Sequence, residues 1–289
     1  MRHVRWLAVW LSGSLALLAC GASSDRGGTG TTGSSSGGGG GSAGGLVSSS
    51  AGGGDGTPIF DNDAGSGDDG STCRHLNIGI LGNPGTNASS SFQEWLVMSG
   101  TSVQRIQTTA TEPLTATAVQ SFDVIVLDRL TREYTASEAS VLTAFVSAGS
   151  GVASMTGYNN TSADWYANSL LAPLGVGYSG PLLTQTVTKF AKHPITEGLT
   201  SVTFAGGYEV SDLGSAGSTR TPIAFLPGSG GDVAVGYAIQ MGAGHAFVWG
   251  DEWIEFDSEW SKLPQIKQLW VQVFSWISPM NTCVLKPPA

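Results

Sequence analysis

The chain has 289 residues and a formal net charge of −9, from 13 lysines and arginines against 22 aspartates and glutamates. Of its 42 glycines, 19 lie between Gly21 and Thr72 among serines, threonines and alanines, a stretch too poor in large apolar side chains to offset its ordering entropy. No lysine or arginine cluster occurs outside the leader, and from Cys73 onward 10 basic residues stand against 16 acidic ones, so neither nucleic acid nor an anionic membrane surface is an expected partner.

In chain order, Arg2 and Arg5 precede Trp6–Ala19, a 14-residue and mostly apolar run too short to span a bilayer well. This is the pattern of a secretory signal over residues 1–19. The run ends Leu17-Leu18-Ala19-Cys20-Gly21, which resembles a bacterial lipobox. The resemblance implies cleavage before Cys20 and lipidation of its thiol, with buried acyl CH₂ groups contributing about 0.8 kcal/mol each. Gly21, where an aspartate would favour inner-membrane retention, implies by likeness to Gram-negative lipoproteins an outer-membrane anchor facing the periplasm or the cell surface. The competing reading is an ordinary signal peptide with an incidental cysteine.

Residues 20–72 then read as a lipidated cysteine and a Gly/Ser-rich tether, spanning roughly 35–45 Å root-mean-square as a flexible coil. Within it, Asp61-Asn62-Asp63-Ala64-Gly65 has part of a calcium-loop spacing, but the glycine comes one place early and no glutamate closes the loop. With Cys20 assigned to the anchor, Cys73 and Cys283 remain, bracketing the region 73–289. In an oxidising compartment such a pair is expected to bridge, which predicts that the two ends of the domain meet. A redox or metal role is the alternative, and no C-x-x-C spacing supports it.

The spacing predicts strands over His75–Leu81, Ser102–Gln107 (an edge strand), Ser121–Leu127 and Gly151–Met155. The β-branched run of Ser121–Leu127 marks a strand buried on both faces. Helices are predicted over Ser89–Met98, Thr135–Ala148 and Ala163–Leu174, the second opened by a capping box of Thr135 and Glu138. The second half is strand-rich: Leu182–Phe190, Val202–Phe204, Ile223–Phe225, Val233–Ile239 and His245–Trp249, the last two joined through Gln240–Gly244 as a hairpin. A final helix, Pro264–Ile277, places Ile266, Leu269, Trp270, Val273, Phe274 and Ile277 on one face. Alternating buried strands and amphipathic helices define one α/β domain, flavodoxin-like and three-layered, with a mostly parallel sheet.

Three segments carry a resemblance: "FDVIVLDRLTREYTASEASVLTAFVSAGSGVASMTGY", "KHPITEGLTSVTF" and "GAGHAFVWGDEW…QLWVQVFSWI". They resemble the class I glutamine amidotransferase-like fold, most closely its trehalose-utilisation-protein-like branch. The resemblance implies a nucleophile on the turn after the central strand, but that turn is Met155-Thr156-Gly157-Tyr158 and has no cysteine. It also implies a histidine after a later strand, where this chain reads Gly250-Asp251-Glu252. Glutamine hydrolysis is therefore not expected.

Ligands of open parallel sheets bind at the carboxyl ends of the strands. That rule places Asn83, Asp128, Arg129, Thr156, Tyr158, Asn159, Asn160 and Asp251 there; with Glu252 and Trp253 of the acidic-aromatic stretch that follows, the candidate binding residues are Asp128, Tyr158, Asn159, Asn160, Asp251, Glu252 and Trp253. Trp249–Trp260 holds three tryptophans, one phenylalanine and five carboxylates, which suits sugar stacking or acid/base work. The competing reading is a solvated acidic loop with its aromatics on the core. Gly79–Gly85 lacks the G-x-G-x-x-G spacing, and Pro84 removes an amide donor, so a strand-exit turn is expected there instead of a phosphate loop. Ser154, inside a strand, is expected to bond backbone. His75, His193 and His245 lie far apart in sequence without ligand spacing. No cofactor and no metal site are expected. The expectation is a non-catalytic binding or structural module of the cell envelope, with a saccharide or envelope component as partner. The enzymatic alternative is a saccharide hydrolase or isomerase using Asp251, Glu252 or Asp128.

Overall fold

The computed structural model describes residues 73–84, 89–157, 161–214, 217–260, 262 and 264–287. Cys20 and the tether, together with Tyr158, Asn159 and Asn160, lie outside the described residues. The first half runs β1 (Asn77–Leu81), α1 (Ser90–Met98), β2 (Ser102–Ile106), α2 (Ala116–Val119), β3 (Val124–Leu127), α3 (Ala136–Ser147), β4 (Gly151–Ser154) and α4 (Asn168–Leu171). The second runs β5 (Val176–Val187), β6 (Lys189–Phe190), β7 (Val202–Asp212), β8 (Ser218–Gly228), β9 (Gly231–Met241), β10 (Gly244–Trp249), α5 (Asp257–Trp260) and α6 (Pro264–Ile277).

Eight strands form one sheet in the order β2-β1-β3-β4-β10-β9-β8-β6, and β5 pairs with β7 in a separate ribbon. Strands β2, β1, β3, β4 and β10 are mutually parallel, and the antiparallel β9, β8 and β6 extend the sheet at one side. The strand period of two explains why β3 reads as unbroken apolar sequence. Val124 and Val126 pack on one face with Phe92, Trp270 and Phe274 of α1 and α6. Ile125 and Leu127 pack on the other with Leu142, Val146 and Leu170 of α3 and α4. Two cores on either side of one sheet make the three layers, as expected.

The ends of the domain meet. Cys73 and Cys283 are disulfide-bonded with their Cα atoms 5.0 Å apart, and the Cys283 amide donates to the Arg74 carbonyl at 2.9 Å. Thr135 and Glu138 form the expected capping box on α3. Gly242, with φ +59°, turns the β9–β10 hairpin.

Three expectations are corrected. Ala163–Leu174 is not one helix but a 3-10 turn, Ser162–Trp165, then α4, then a second 3-10 turn, Ala172–Leu174. Pro173 offers no amide donor, and Asn168 spends its side chain on Tyr178, accepting from its amide at 2.7 Å and donating to its carbonyl at 3.0 Å. The strand expected over Leu182–Phe190 begins at Val176 and breaks between β5 and β6, which belong to different sheets. The strand expected at Val202–Phe204 continues to Asp212 through Ala205-Gly206-Gly207. A Cβ on Gly207 would lie 2.1 Å from the Gly250 carbonyl oxygen, so the bare backbone is what lets β7 approach the exit of β10.

Candidate functional site

At the carboxyl ends of β1, β3, β4 and β10 the chain folds its acids inward. Asp128 leaves β3 and is 3% exposed. Its Oδ1 accepts the Arg129 amide at 2.7 Å, and its Oδ2 accepts Arg105 Nη1 at 2.7 Å. Arg105, near the end of β2, also donates to the Gly82 carbonyl at 2.9 Å. Gly82 has φ +110°, and Asn83 after it donates its amide to the Arg129 carbonyl, so Gly79–Gly85 begins its exit as the tight turn expected. Burial pushes the Asp128 carboxyl up, against the pull of Arg105.

After β10 the chain enters a 3-10 turn, Glu252–Glu255, capped by Asp251. Asp251 Oδ1 accepts the Trp253 amide at 3.0 Å, and Oδ2 accepts the Ala205 amide of β7 at 2.5 Å. Burial raises the Asp251 carboxyl to about 7, opposed by these two bonds and reinforced by the charges of Glu252 and Glu259. The Glu252 amide donates to the Thr156 carbonyl at 2.8 Å, which ties the turn to the exit of β4. A Cβ on Gly157 would sit 2.9 Å from Glu252 Oε1, so a glycine there makes room for the carboxylate. Thr156 Oγ1 donates to the Asp164 carbonyl at 2.5 Å, and the Tyr208 hydroxyl to Asp164 Oδ2 at 2.6 Å.

Asp128, Glu252 and Glu255 converge, each offering one oxygen within 4.8 Å of the others'. Burial, then the negative charges of Asp128 and Glu252, holds the Glu255 carboxyl well above the usual carboxylate range. Beside this cluster lies a cavity of about 10 Å³ bordered by Asp128, Thr156, Gly157 and Asp164, about the space of one water-sized sphere.

The solvated-loop reading of Trp249–Trp260 is overturned. Asp251, Glu252, Glu255 and Glu259 are buried, and Trp253 is half-buried. Its aromatics do pack on the core: Trp260 lies 5.2 Å from Trp95 and 5.9 Å from Phe92 between ring centroids. Asp257 turns outward to accept the Ser91 amide at 2.8 Å at the start of α1. Of the proposed binding residues, the structure brings together Asp128, Asp251, Glu252 and Trp253. Sequence reasoning missed Glu255 and Arg105. For Glu255 a signal existed, because side chains three apart in a 3-10 turn eclipse, so Glu252 and Glu255 must share a side once Asp251 caps the turn.

Two smaller corrections concern isolated residues. Ser154 Oγ bonds the Tyr178 hydroxyl at 2.8 Å, not backbone. His193 and His245, distant in sequence, both pack on Trp276, with ring centroids at 4.9 and 4.4 Å, while His75 stays apart and bonds the Gly100 carbonyl.

No family model matches the chain, and no curated protein sequence does. Solved structures match its fold. The "mmIFT52 N-terminal domain" aligns over 70% of this chain and 96% of its own, at 14% identity and a TM-score of 0.57. Cytoplasmic Protein STM1381 from Salmonella typhimurium LT2 aligns over 70% of this chain and 100% of its own, at 14% identity and a TM-score of 0.53. A protein from Parabacteroides merdae ATCC 43184 described as ThuA-like aligns over 74% of this chain and 98% of its own, at 11% identity and a TM-score of 0.50. These identities show the fold alone. The chain has the flavodoxin-like layering of the class I amidotransferase-like fold, with ThuA-like proteins among its structural neighbours.

Proposed function

We propose that this chain is a lipid-anchored protein of the cell envelope, held through Cys20 and a tether over residues 20–72, whose domain from Cys73 onward is a non-catalytic binding or structural module. One observation carries the non-catalytic reading. The residue at the position where the resemblance expects a histidine, Asp251, has both carboxylate oxygens committed to backbone amides of its own chain. Opposite it, Met155-Thr156-Gly157 offers no thiol, and Thr156 gives its hydroxyl to the Asp164 carbonyl. Groups tied into the scaffold in this way are not free to shuttle protons to a substrate. A ligand of this module binds at the carboxyl end of the sheet, against Tyr158, Asn159 and Asn160 or against the Asp251–Trp253 turn, and is neutral or cationic. Purified protein is expected to release no ammonia from glutamine, and ammonia release that depends on Asp251 overturns the reading. Cys20→Ser is expected to move the protein out of the membrane fraction or leave it unprocessed. Normal maturation and continued fractionation with outer membranes overturn the anchor.

A second reading, a saccharide hydrolase or isomerase, is favoured by the convergence of Asp128, Glu252 and Glu255. A retaining glycosidase holds its two carboxyls about 5–5.5 Å apart across open space for a sugar. Here the oxygens lie within 4.8 Å of one another and the adjoining cavity is about 10 Å³. Turnover of chromogenic glycosides that Asp128→Asn abolishes would establish this alternative.

A further inference from the structure

Three carboxylates have been drawn out of water at the ends of β3 and β10, and their burial needs a physical reason. Asp128 is 3% exposed, and Glu252 and Glu255 are each 1% exposed. Arg105 pairs with Asp128 from the edge of the sheet. Without a cation, burial and the neighbouring acids favour a proton on Glu255, shared with Asp128; were all three acids ionised, the carboxylates and Arg105 would sum to two negative charges. Leaving such charge buried and uncompensated is costly.

A separate observation points inward. Glu255 Oε1 is buried and receives no hydrogen bond, although buried acceptors are almost always satisfied. The side chain that carries it turns into the cluster, where its carboxylate is one of the three converging groups. Gly157 adds clearance beside Glu252, where any larger residue would crowd its Oε1.

We infer that Asp128, Glu252 and Glu255 form a binding site for one hard divalent cation of the calcium class, which locks the β10 exit turn to the end of β3. The donor set is carboxylate oxygen alone, without the imidazole or thiolate that would select zinc or copper. Three oxygens within 4.8 Å of one another leave a common centre no farther than about 2.8 Å from each, within reach of the 2.3–2.6 Å bonds of calcium after a small adjustment. The doubly charged ion balances the two net negative charges of the cluster with Arg105. The site is structural: its ligands come from the exit of β3 and from the one 3-10 turn after β10, so occupancy fixes the Asp251–Glu255 turn against the sheet. This holds whether or not the chain is lipid-anchored.

The test uses the full chain purified in mild detergent, stripped with a chelator and titrated with calcium alone, then with magnesium alone. One calcium per chain is expected, with a rise in unfolding temperature that the chelator reverses. Glu255→Gln is expected to weaken calcium binding by about tenfold or more, because ligand charge sets affinity in such sites. Glu94→Gln, an exposed acid on α1, is expected to leave it unchanged. No calcium uptake at millimolar concentration, or equal affinity in Glu255→Gln, overturns the site. Should Glu255→Gln fail to fold, terbium added to the unaltered protein gives the answer. Terbium emission excited through Trp253, in the same turn, and displaced by calcium supports the site. No emission, or emission that calcium leaves unchanged, overturns it.

Discussion

Two regions of this domain bury glutamate, and they do so by opposite means. Glu138, at the start of α3, is 3% exposed, and its carboxylate accepts five hydrogen bonds. They come from Arg132, twice, from the Thr135 amide and hydroxyl, and from the Leu114 amide at 2.8 Å. The Arg132 guanidinium leads these in holding the Glu138 carboxyl down at about 2. Glu255, also shut off from solvent but set deeper in the protein, has Asp128 and Glu252 as neighbours and an oxygen with no donor, and its carboxyl is held well above the usual range. Burial alone therefore says nothing about charge. The donors aimed at the carboxylate decide whether a buried acid is an anchor or a group awaiting a proton or a cation.

The largest test of that contrast is Glu138→Gln. The amide keeps the shape but turns a donor toward Arg132, the Leu114 amide or the Thr135 amide. A loss of about 2–3 kcal/mol is expected, just below the range for breaking a fully buried pair because Arg132 still touches water. Chemical denaturation at neutral pH measures it, and a loss below about 0.5 kcal/mol would mean that the five bonds contribute almost nothing net. The same substitution fixes the pH dependence. The folded carboxyl titrates near 2, below its ordinary value of 4.5, so its stabilisation is fully present above 4.5 and disappears as pH falls toward 2. The stability gap between the unaltered protein and Glu138→Gln should therefore be constant from neutrality to about pH 5 and close below it. A gap that persists at pH 2 would show that shape, not charge, is what the substitution removes.

A smaller effect is expected at the cap itself. Thr135→Ala removes the side-chain acceptor of the Glu138 amide and one donor to its carboxylate. About 1 kcal/mol should be lost, the ordinary value of an N-cap, because four of the five bonds to Glu138 survive. A loss as large as that of Glu138→Gln would show that the capping threonine, more than the arginine, organises this corner.

The two regions also differ in how well the sequence announces them. Thr135-x-x-Glu138 ahead of an apolar stripe is a local pattern, and all of its partners except Leu114 lie within a few residues. The same locality made β3, the β9–β10 hairpin and α6 legible, since each rests on periodicity or on a turn within its own segment. The carboxyl-end cluster depends on pairings across the chain: Asp128 with Arg105, Asp251 with Ala205, the Glu252 amide with Thr156. None of these leaves a local trace, and a segment with five carboxylates in twelve residues looks solvated by hydropathy. The glycines of β7 carry no local signal for the same reason, because what they permit is a contact with Gly250 more than forty positions on.

The smallest expected effect is the sharpest discriminator. In protein freed of divalent ions, Glu255→Gln removes one of three mutually repelling acids and supplies an amide N–H that can donate to Asp128 or Glu252. Stability should change by less than about 1 kcal/mol, and in the favourable direction, because no donor is left orphaned and one like-charge contact is gone. The identical glutamate-to-glutamine change at Glu138 should instead cost about 2–3 kcal/mol, with the opposite set of neighbours. Adding calcium should reverse the sign at Glu255, since only the unaltered protein then gains from the third carboxylate. Denaturation of both variants in chelator, repeated in calcium, measures all of this. A loss above about 2 kcal/mol for Glu255→Gln in chelator would mean that its charge is already held by donors as that of Glu138 is, and the contrast between the two regions would fail.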